Sequence, residues 1–312
     1  MSELNRILRG VSAFTRALSR PIPPPRIQSS SRPKLGMALG GGFARGVAHI
    51  GVLKALEQED IQPDYVAGTS VGAVIGALYC SGMSPREMEE IAALLKFSDF
   101  ARFSFSRLGL WNNDRMTALL RRILKTHTFE ELQIPLAVTA TDFVTGDPVV
   151  FTSGPLIDAV RASCAYPGFF HPVNIGGRLL VDGLLAHPVP AAPLKQLGAE
   201  KVLAVHFPKH WVRDSGPKHF MEVIGQCFSI AQANVCSFWQ VHADVVLEPE
   251  VSNFAYDAFH KAPELVAAGE AAAMAAMEKI RALIGVSITQ GSAEAKPAKT
   301  PKLTPSTLPV TG

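Results

Sequence analysis

The sequence lacks a charge excess of either sign. Its 30 Lys and Arg stand against 27 Asp and Glu, a net charge of +3 over 312 residues. Binding nucleic acid through phosphates needs clustered basic residues. No such cluster, zinc-finger spacing or aromatic–basic recognition motif occurs, so a nucleic-acid partner is not expected. Cysteine is scarce too. Cys80, Cys164, Cys227 and Cys236 form no CxxC pair and no metal cluster. They read as reduced, buried thiols of a cytoplasmic protein. The N-terminal region has arginines but neither a continuous apolar core nor a small-residue cleavage site, so no secretory signal is expected. One uncharged run could be mistaken for a membrane-spanning segment. Tyr65 to Pro85 carries no charge and is about as long as a bilayer requires. It holds Gly68, Gly72, Gly76 and Gly82 with Thr69, Ser70, Ser81 and Ser84. That composition predicts a buried strand, a sharp turn and a buried helix instead of a span. There is no internal repeat.

What is present is enough apolar residue, 47% of the chain, to build a sizeable core. Leu4, Ile7, Leu8, Val11, Phe14 and Leu18 recur at steps of three and four, which predicts one apolar helix face. Arg6, Arg9 and Arg16 lie off that face. A basic amphipathic helix over residues 1–20 fits a membrane interface, here the inner face of the membrane, or packing on its own domain or a partner. Pro21, Pro23, Pro24 and Pro25 end it, and residues 1–33 read as this helix plus a Pro/Ser linker.

Residues 34–285 read as the globular domain. Strand-like runs at Leu35–Leu39, Tyr65–Ala67, Leu136–Ala140, Val149–Phe151, Leu179–Val181, Val202–His206 and Val245–Leu247 alternate with helical stretches. Among the latter are Ala44–Glu59, Val71–Cys80, Lys218–Trp239 and Pro263–Ile284. The alternation predicts an α/β fold in three layers, with a central, mostly parallel sheet flanked by helices. Residues 286–312, rich in Thr, Ser, Pro and Lys, read as a disordered tail.

Gly68-Thr69-Ser70-Val71-Gly72 is a Gly-x-Ser-x-Gly pattern between an apolar strand and a small-residue helix. That context holds a serine hydroxyl out at a tight turn, where larger flanking side chains would clash. Ser70 is therefore the candidate nucleophile of an acyl hydrolase. The following helix N-terminus favours developing negative charge there. Gly40-Gly41-Gly42-Phe43-Ala44-Arg45-Gly46 also joins a strand to a helix. It can offer backbone N–H groups to a tetrahedral oxyanion. It is no nucleotide loop: Gly46 is followed by Val47 where a lysine is needed. Nor is it a dinucleotide fingerprint, because Arg45 stands at the third glycine position. Arg45 has two open roles, contact with a substrate phosphate or a structural ion pair.

A serine nucleophile needs a proton acceptor. A histidine in the order Ser, Asp, His is one choice, and His187 is the nearest candidate, although no histidine after Ser70 sits in a telling motif. Asp182-Gly183, at a strand end, is another choice; as a dipeptide it is also a common turn.

These pieces together resemble the patatin-like phospholipase family. Gly40–Gly46 resembles its G-G-G-x-x-R-G loop, Gly68–Gly72 its G-T-S-x-G elbow, and Asp182-Gly183 its D-G-[GA] motif. Ala162–Phe170 is similar to the A-S-x-A-x-P-G-x-F segment of bacterial members. The resemblance covers about residues 34–250. It implies a Ser70–Asp182 dyad without catalytic histidine, and an oxyanion hole from the amides of Gly41, Gly42 and Phe43. It also implies a phospholipid or lysophospholipid ester as substrate, and no metal or cofactor. Leu184 departs from the Gly or Ala usual after Asp-Gly. Phe43, Phe103, Phe105, Leu108, Leu110 and Trp111 are candidates for an acyl path or for core packing.

Overall fold

The computed structural model describes residues 32–285 apart from 96–98, 100–101, 107–108, 209–215, 217–219, 236 and 256. The expectations for residues 1–20, for the 286–312 tail and for Cys236 fall outside the described residues. β1 (Leu35–Leu39) leads through a short 3-10 turn (Phe43–Val47) into α1 (Ala48–Gln58). β2 (Tyr65–Thr69) passes through Ser70 into α2 (Val71–Cys80), and α3 (Pro85–Ala92) follows. β3 (Arg102–Ser106) and β4 (Gly109–Asn112) form a separate two-stranded sheet, tied to Phe170 by a bridge at Trp111, before α4 (Asp114–Ile123). β5 (Leu136–Asp142), β6 (Pro148–Phe151) and α5 (Leu156–Ser163) come next, then β7 (Val173–Ile175) and β8 (Arg178–Asp182). The described chain closes with α6 (Ala191–Leu197), β9 (Lys201–Val205), α7 (Phe220–Val235), α8 (Ser237–Gln240), β10 (Val245–Leu247), α9 (Ala262–Ala275) and α10 (Met277–Leu283).

The main sheet runs β10-β9-β1-β2-β5-β8-β7, with β6 also on β5. The five strands from β10 to β5 are parallel, and β6, β7 and β8 join antiparallel. The sheet is thus mixed, parallel through its centre and antiparallel at one end. Side chains alternate across it, as the pleat requires. Leu35, Met37 and Leu39 of β1 join the large core with α1, α2 and α9. Ala38, Ala67, Ala137 and Ala204 make the opposite face, against Ala191 and Leu194 of α6. Small residues on that face let α6 lie close to the strands. A fully buried central strand explains why these segments read as unbroken apolar runs.

Local chemistry sets several boundaries. Asp64 accepts from the Leu35 amide at 2.7 Å and from Arg32 at 2.8 Å, which anchors the start of β1. Ser84 and Glu87 form a reciprocal cap on α3, with Pro85 in its first turn. Tyr65–Pro85 resolves as strand, turn and helix. Three details differ from expectation. The β3–β4 pair and β7 were not predicted; they are short, and β7 is only partly buried. Pro263–Ile284 breaks into two helices at Ala276. Cys80 and Cys164 are buried but Cys227 is exposed. It sits four residues from exposed Val223 and three from exposed Ile230, on one outward stripe of α7.

Candidate active site

The register of three strands brings Ser70 and Asp182 to one place. Thr69, the last residue of β2, pairs with Thr139 of β5. The next residue on β5, Ala140, pairs with Asp182, the last residue of antiparallel β8. Because β8 runs against β5, its C-terminus arrives where β2 ends. Ser70 is 8% exposed and Asp182 is fully buried.

Ser70 has φ 56° and ψ −124°, a strained conformation for a residue with a side chain. Its amide donates to Ser163 Oγ at 2.8 Å, and its carbonyl accepts from Ala73 at 2.8 Å to start α2. Gly72 must be bare: a Cβ there would lie 2.1 Å from the Leu39 carbonyl oxygen. Thr69 Oγ1, one residue earlier, bonds Thr139 Oγ1 and the His187 carbonyl, both at 2.7 Å. Burial, and then the charge of Asp182, push the Cys164 thiol well above its ordinary range, and the Ser70 hydroxyl, as a donor to the sulfur, opposes them. Burial and the Asp182 charge also raise the Tyr166 phenol. Ser70, Cys164, Tyr166 and Asp182 are therefore one cluster.

Asp182 Oδ1 accepts from the Leu184 amide at 2.9 Å, and the Asp182 amide donates to Ala165 at 3.0 Å. Gly183 has no room for a side chain, since a Cβ would meet the Thr139 carbonyl oxygen at 2.3 Å. Leu184, the departure from the family pattern, is buried with Tyr166, Phe169 and Phe170. The leucine fills an aromatic wall without displacing Asp182.

The glycine loop lies against the elbow. A methyl placed on Gly41 would sit 3.5 Å from Ser70 Cβ and 3.8 Å from Leu184 Cβ. The Gly41 amide, however, donates to the Pro188 carbonyl at 3.1 Å, which narrows its expected role as an oxyanion donor. Gly42 and Phe43 follow it, and Phe43 has φ 51°, a second strained residue beside the elbow. Arg45 is almost buried and donates through Nε and Nη2 to the Phe254 carbonyl, at 3.0 and 2.8 Å.

An apolar cavity of about 100 Å³ opens at Ser70. One face of α2 lines it with Val71, Val74, Ile75 and Leu78, and α3 and α4 close it with residues such as Met88, Ile91, Met116 and Ile123. From Ser70 to Leu78 the helix rises about 12 Å. Phe43, Tyr166 and Phe170 form the wall by the serine. Among the acyl-path candidates Phe43 lines the cavity and Trp111 stacks on Phe169 at 5.6 Å. The side chains of Phe103, Phe105, Leu108 and Leu110 fall outside the described ones. Among the described residues no histidine lines this cavity. His187 lines a different one, beyond Leu184, and its basicity is lowered by burial and then by His242. Sequence reasoning missed Ser163, Cys164 and His49. The first two stood inside a motif already noted; His49, in the first turn of α1, precedes the serine and carried no signal as a base.

A parallel-centred α/β sheet with a strained serine at a strand-to-helix elbow, a glycine loop beside it and a buried carboxylate defines the class of fold and site. The sequence model of the patatin-like phospholipase family matches residues 37–195, about half of the chain, and the chain belongs to that family. It is 38% identical over 183 residues to an uncharacterized NTE family protein of Mycobacterium tuberculosis, covering 58% of this chain and 51% of that protein. It is 31% identical over 179 residues to the neuropathy target esterase of Drosophila melanogaster, covering 55% of this chain and 13% of that one. The chain thus spans about half the length of the mycobacterial relative. The structure of VipD from Legionella pneumophila is similar in fold, with a TM-score of 0.54 and 13% identity over 80% of this chain and 67% of that one. Among the described residues no helix is long and apolar enough to cross a membrane.

Proposed function

We propose that the chain hydrolyses fatty acyl esters of phospholipids or lysophospholipids through an acyl-enzyme on Ser70, with Asp182 as base. The observation that carries this reading is the position of Ser70 on the wall of an otherwise apolar cavity that follows α2. An acyl chain laid along α2 puts its ester carbonyl at the serine hydroxyl. Each buried methylene contributes about 0.8 kcal/mol, so the cavity favours a long chain over acetate. Membership of a phospholipase family, and a relative in Mycosarcoma maydis named as a lysophospholipase and 30% identical over 205 residues, support the lipid class.

In this scheme Asp182 takes the Ser70 proton as the hydroxyl oxygen attacks the carbonyl carbon. The oxyanion forms beside the amides of Gly42 and Phe43, and the α2 N-terminus adds its field. The proton passes to the leaving alcohol. Water then attacks the acyl-enzyme, losing its proton to Asp182, which passes it to Ser70 Oγ as the acyl–oxygen bond breaks and the fatty acid departs. A carboxylate is a weak base in water, so most of the acceleration comes from oxyanion donors and positioning. The test is a panel of phospholipids, lysophospholipids and short p-nitrophenyl esters, with products read by mass spectrometry for wild type, Ser70→Ala and Asp182→Asn. Release of long-chain fatty acid by wild type alone is expected. Turnover confined to short esters moves the reading to a carboxylesterase, and full activity in Asp182→Asn removes the dyad.

A further inference from the structure

We infer that His49 is a positioning residue that holds the glycine loop of the site by donating from Nε2 to the Gly40 carbonyl. The catalytic consequence rests on the proposed reaction; the bond itself does not. His49 is fully buried, and its Nε2 lies 2.8 Å from Gly40 O. A carbonyl only accepts, so Nε2 carries the proton and Nδ1 is bare. Nδ1 is buried and has no hydrogen-bond partner among the described residues. The ring also packs on Phe207, with centroids 4.7 Å apart. Phe207 in turn blocks the space at Gly42, where a Cβ would come within 2.7 Å of its ring.

The bond falls at an informative point. Gly40 O and the Gly41 N–H belong to one peptide unit and point in opposite directions. His49 holds the oxygen and the Pro188 carbonyl accepts from the N–H at 3.1 Å. The Gly40 amide is fixed as well, donating to Val205 at 3.1 Å. Two consecutive peptides of a glycine loop, the most freely rotating backbone, are thereby pinned just before the amides of Gly42 and Phe43. A flip of the Gly40–Gly41 peptide would reverse donor and acceptor at the edge of the site. A buried imidazole with one nitrogen unsatisfied is a poor core side chain. What it adds over an apolar residue of similar size is this one directed hydrogen bond.

The experiment compares His49→Phe, which fills the space without a donor, with His49→Gln, whose amide restores one. Both are assayed for kcat and KM on an ester that wild type hydrolyses, with thermal unfolding recorded in parallel. Expected is a fall in kcat of about tenfold to a hundredfold for His49→Phe at unchanged KM, with most of it recovered in His49→Gln. Wild-type kcat in folded His49→Phe, or equal loss in both folded variants, overturns the positioning role. Nitrogen-15 spectra of histidine-labelled wild type read the tautomer directly, whether or not the variants fold. A proton on Nε2 of His49 supports the bond, and a proton on Nδ1 overturns it. If wild type hydrolyses no ester, the proposed function fails while the tautomer still tests the contact.

Discussion

Acidification should weaken this protein through one identifiable ring. Burial lowers the His49 pKa from 6.5 to about 4, and the hydrogen bond to the Gly40 carbonyl opposes that shift only in part. The unfolded chain takes up a proton on this residue below about pH 6.5, whereas the native state does so only near pH 4. Between those values the unfolded state holds more protons, so stability falls as pH falls. Above pH 6.5 the contribution is complete and flat. At about 1.4 kcal/mol per pKa unit, the full loss is about 3 kcal/mol, a substantial part of the total for a typical domain. Urea unfolding at pH 7, 5.5 and 4.5 measures it, with His49→Gln as the reference that cannot titrate. His187, also lowered by burial, is present in both proteins and cancels in the difference. Wild type should lose stability more steeply than His49→Gln across this window. Parallel pH profiles for the two proteins would refute the reasoning.

Three further outcomes follow from the geometry. At φ 56° for Ser70, Ser70→Gly should be more stable than Ser70→Ala by about 1 kcal/mol, because both lose the hydroxyl and only alanine keeps the strain; thermal unfolding reads this, and the reverse order would contradict the strained elbow. Arg45→Gln should cost about 2 kcal/mol through loss of charged donors to the Phe254 carbonyl. Its KM should stay unchanged for esters with and without phosphate, and a rise confined to phosphate-bearing substrates would return Arg45 to the site. Val74→Trp should fill the cavity one turn beyond Ser70 and shift preference toward shorter acyl chains. A p-nitrophenyl ester series measures that, and an unchanged optimum would place the acyl chain elsewhere.

Much of the fold was legible because the central strands are buried on both faces. Leu35–Leu39 and Leu136–Ala140 have to be apolar runs, and glycine and proline punctuate them. Ser70 and Asp182 stand out as candidates in the sequence because each sits in a short local pattern whose neighbours are sterically constrained. What sequence left hidden depends on contacts across the chain. His49 acts on a carbonyl nine residues earlier, across a loop and a turn, and nothing in its own neighbourhood marks that. The Gly41 amide looked available until Pro188, far along the chain, was seen to accept from it. Arg45 had two open roles because its acceptor, the Phe254 carbonyl, is backbone and leaves no trace in residue type. The antiparallel turn of the sheet at β8 was equally hidden, yet it is what brings the end of β8, at Asp182, to the level where β2 ends.

The central claim is that Ser70 is a nucleophile facing an acyl cavity. A fluorophosphonate with a long alkyl chain tests it most directly, with the modified peptide identified by mass spectrometry in wild type, Ser70→Ala and Asp182→Asn. The account predicts one covalent adduct, on Ser70 of wild type, absent in Ser70→Ala and strongly slowed in Asp182→Asn. No adduct on folded wild type, or an adduct on another residue that survives Ser70→Ala, would contradict it.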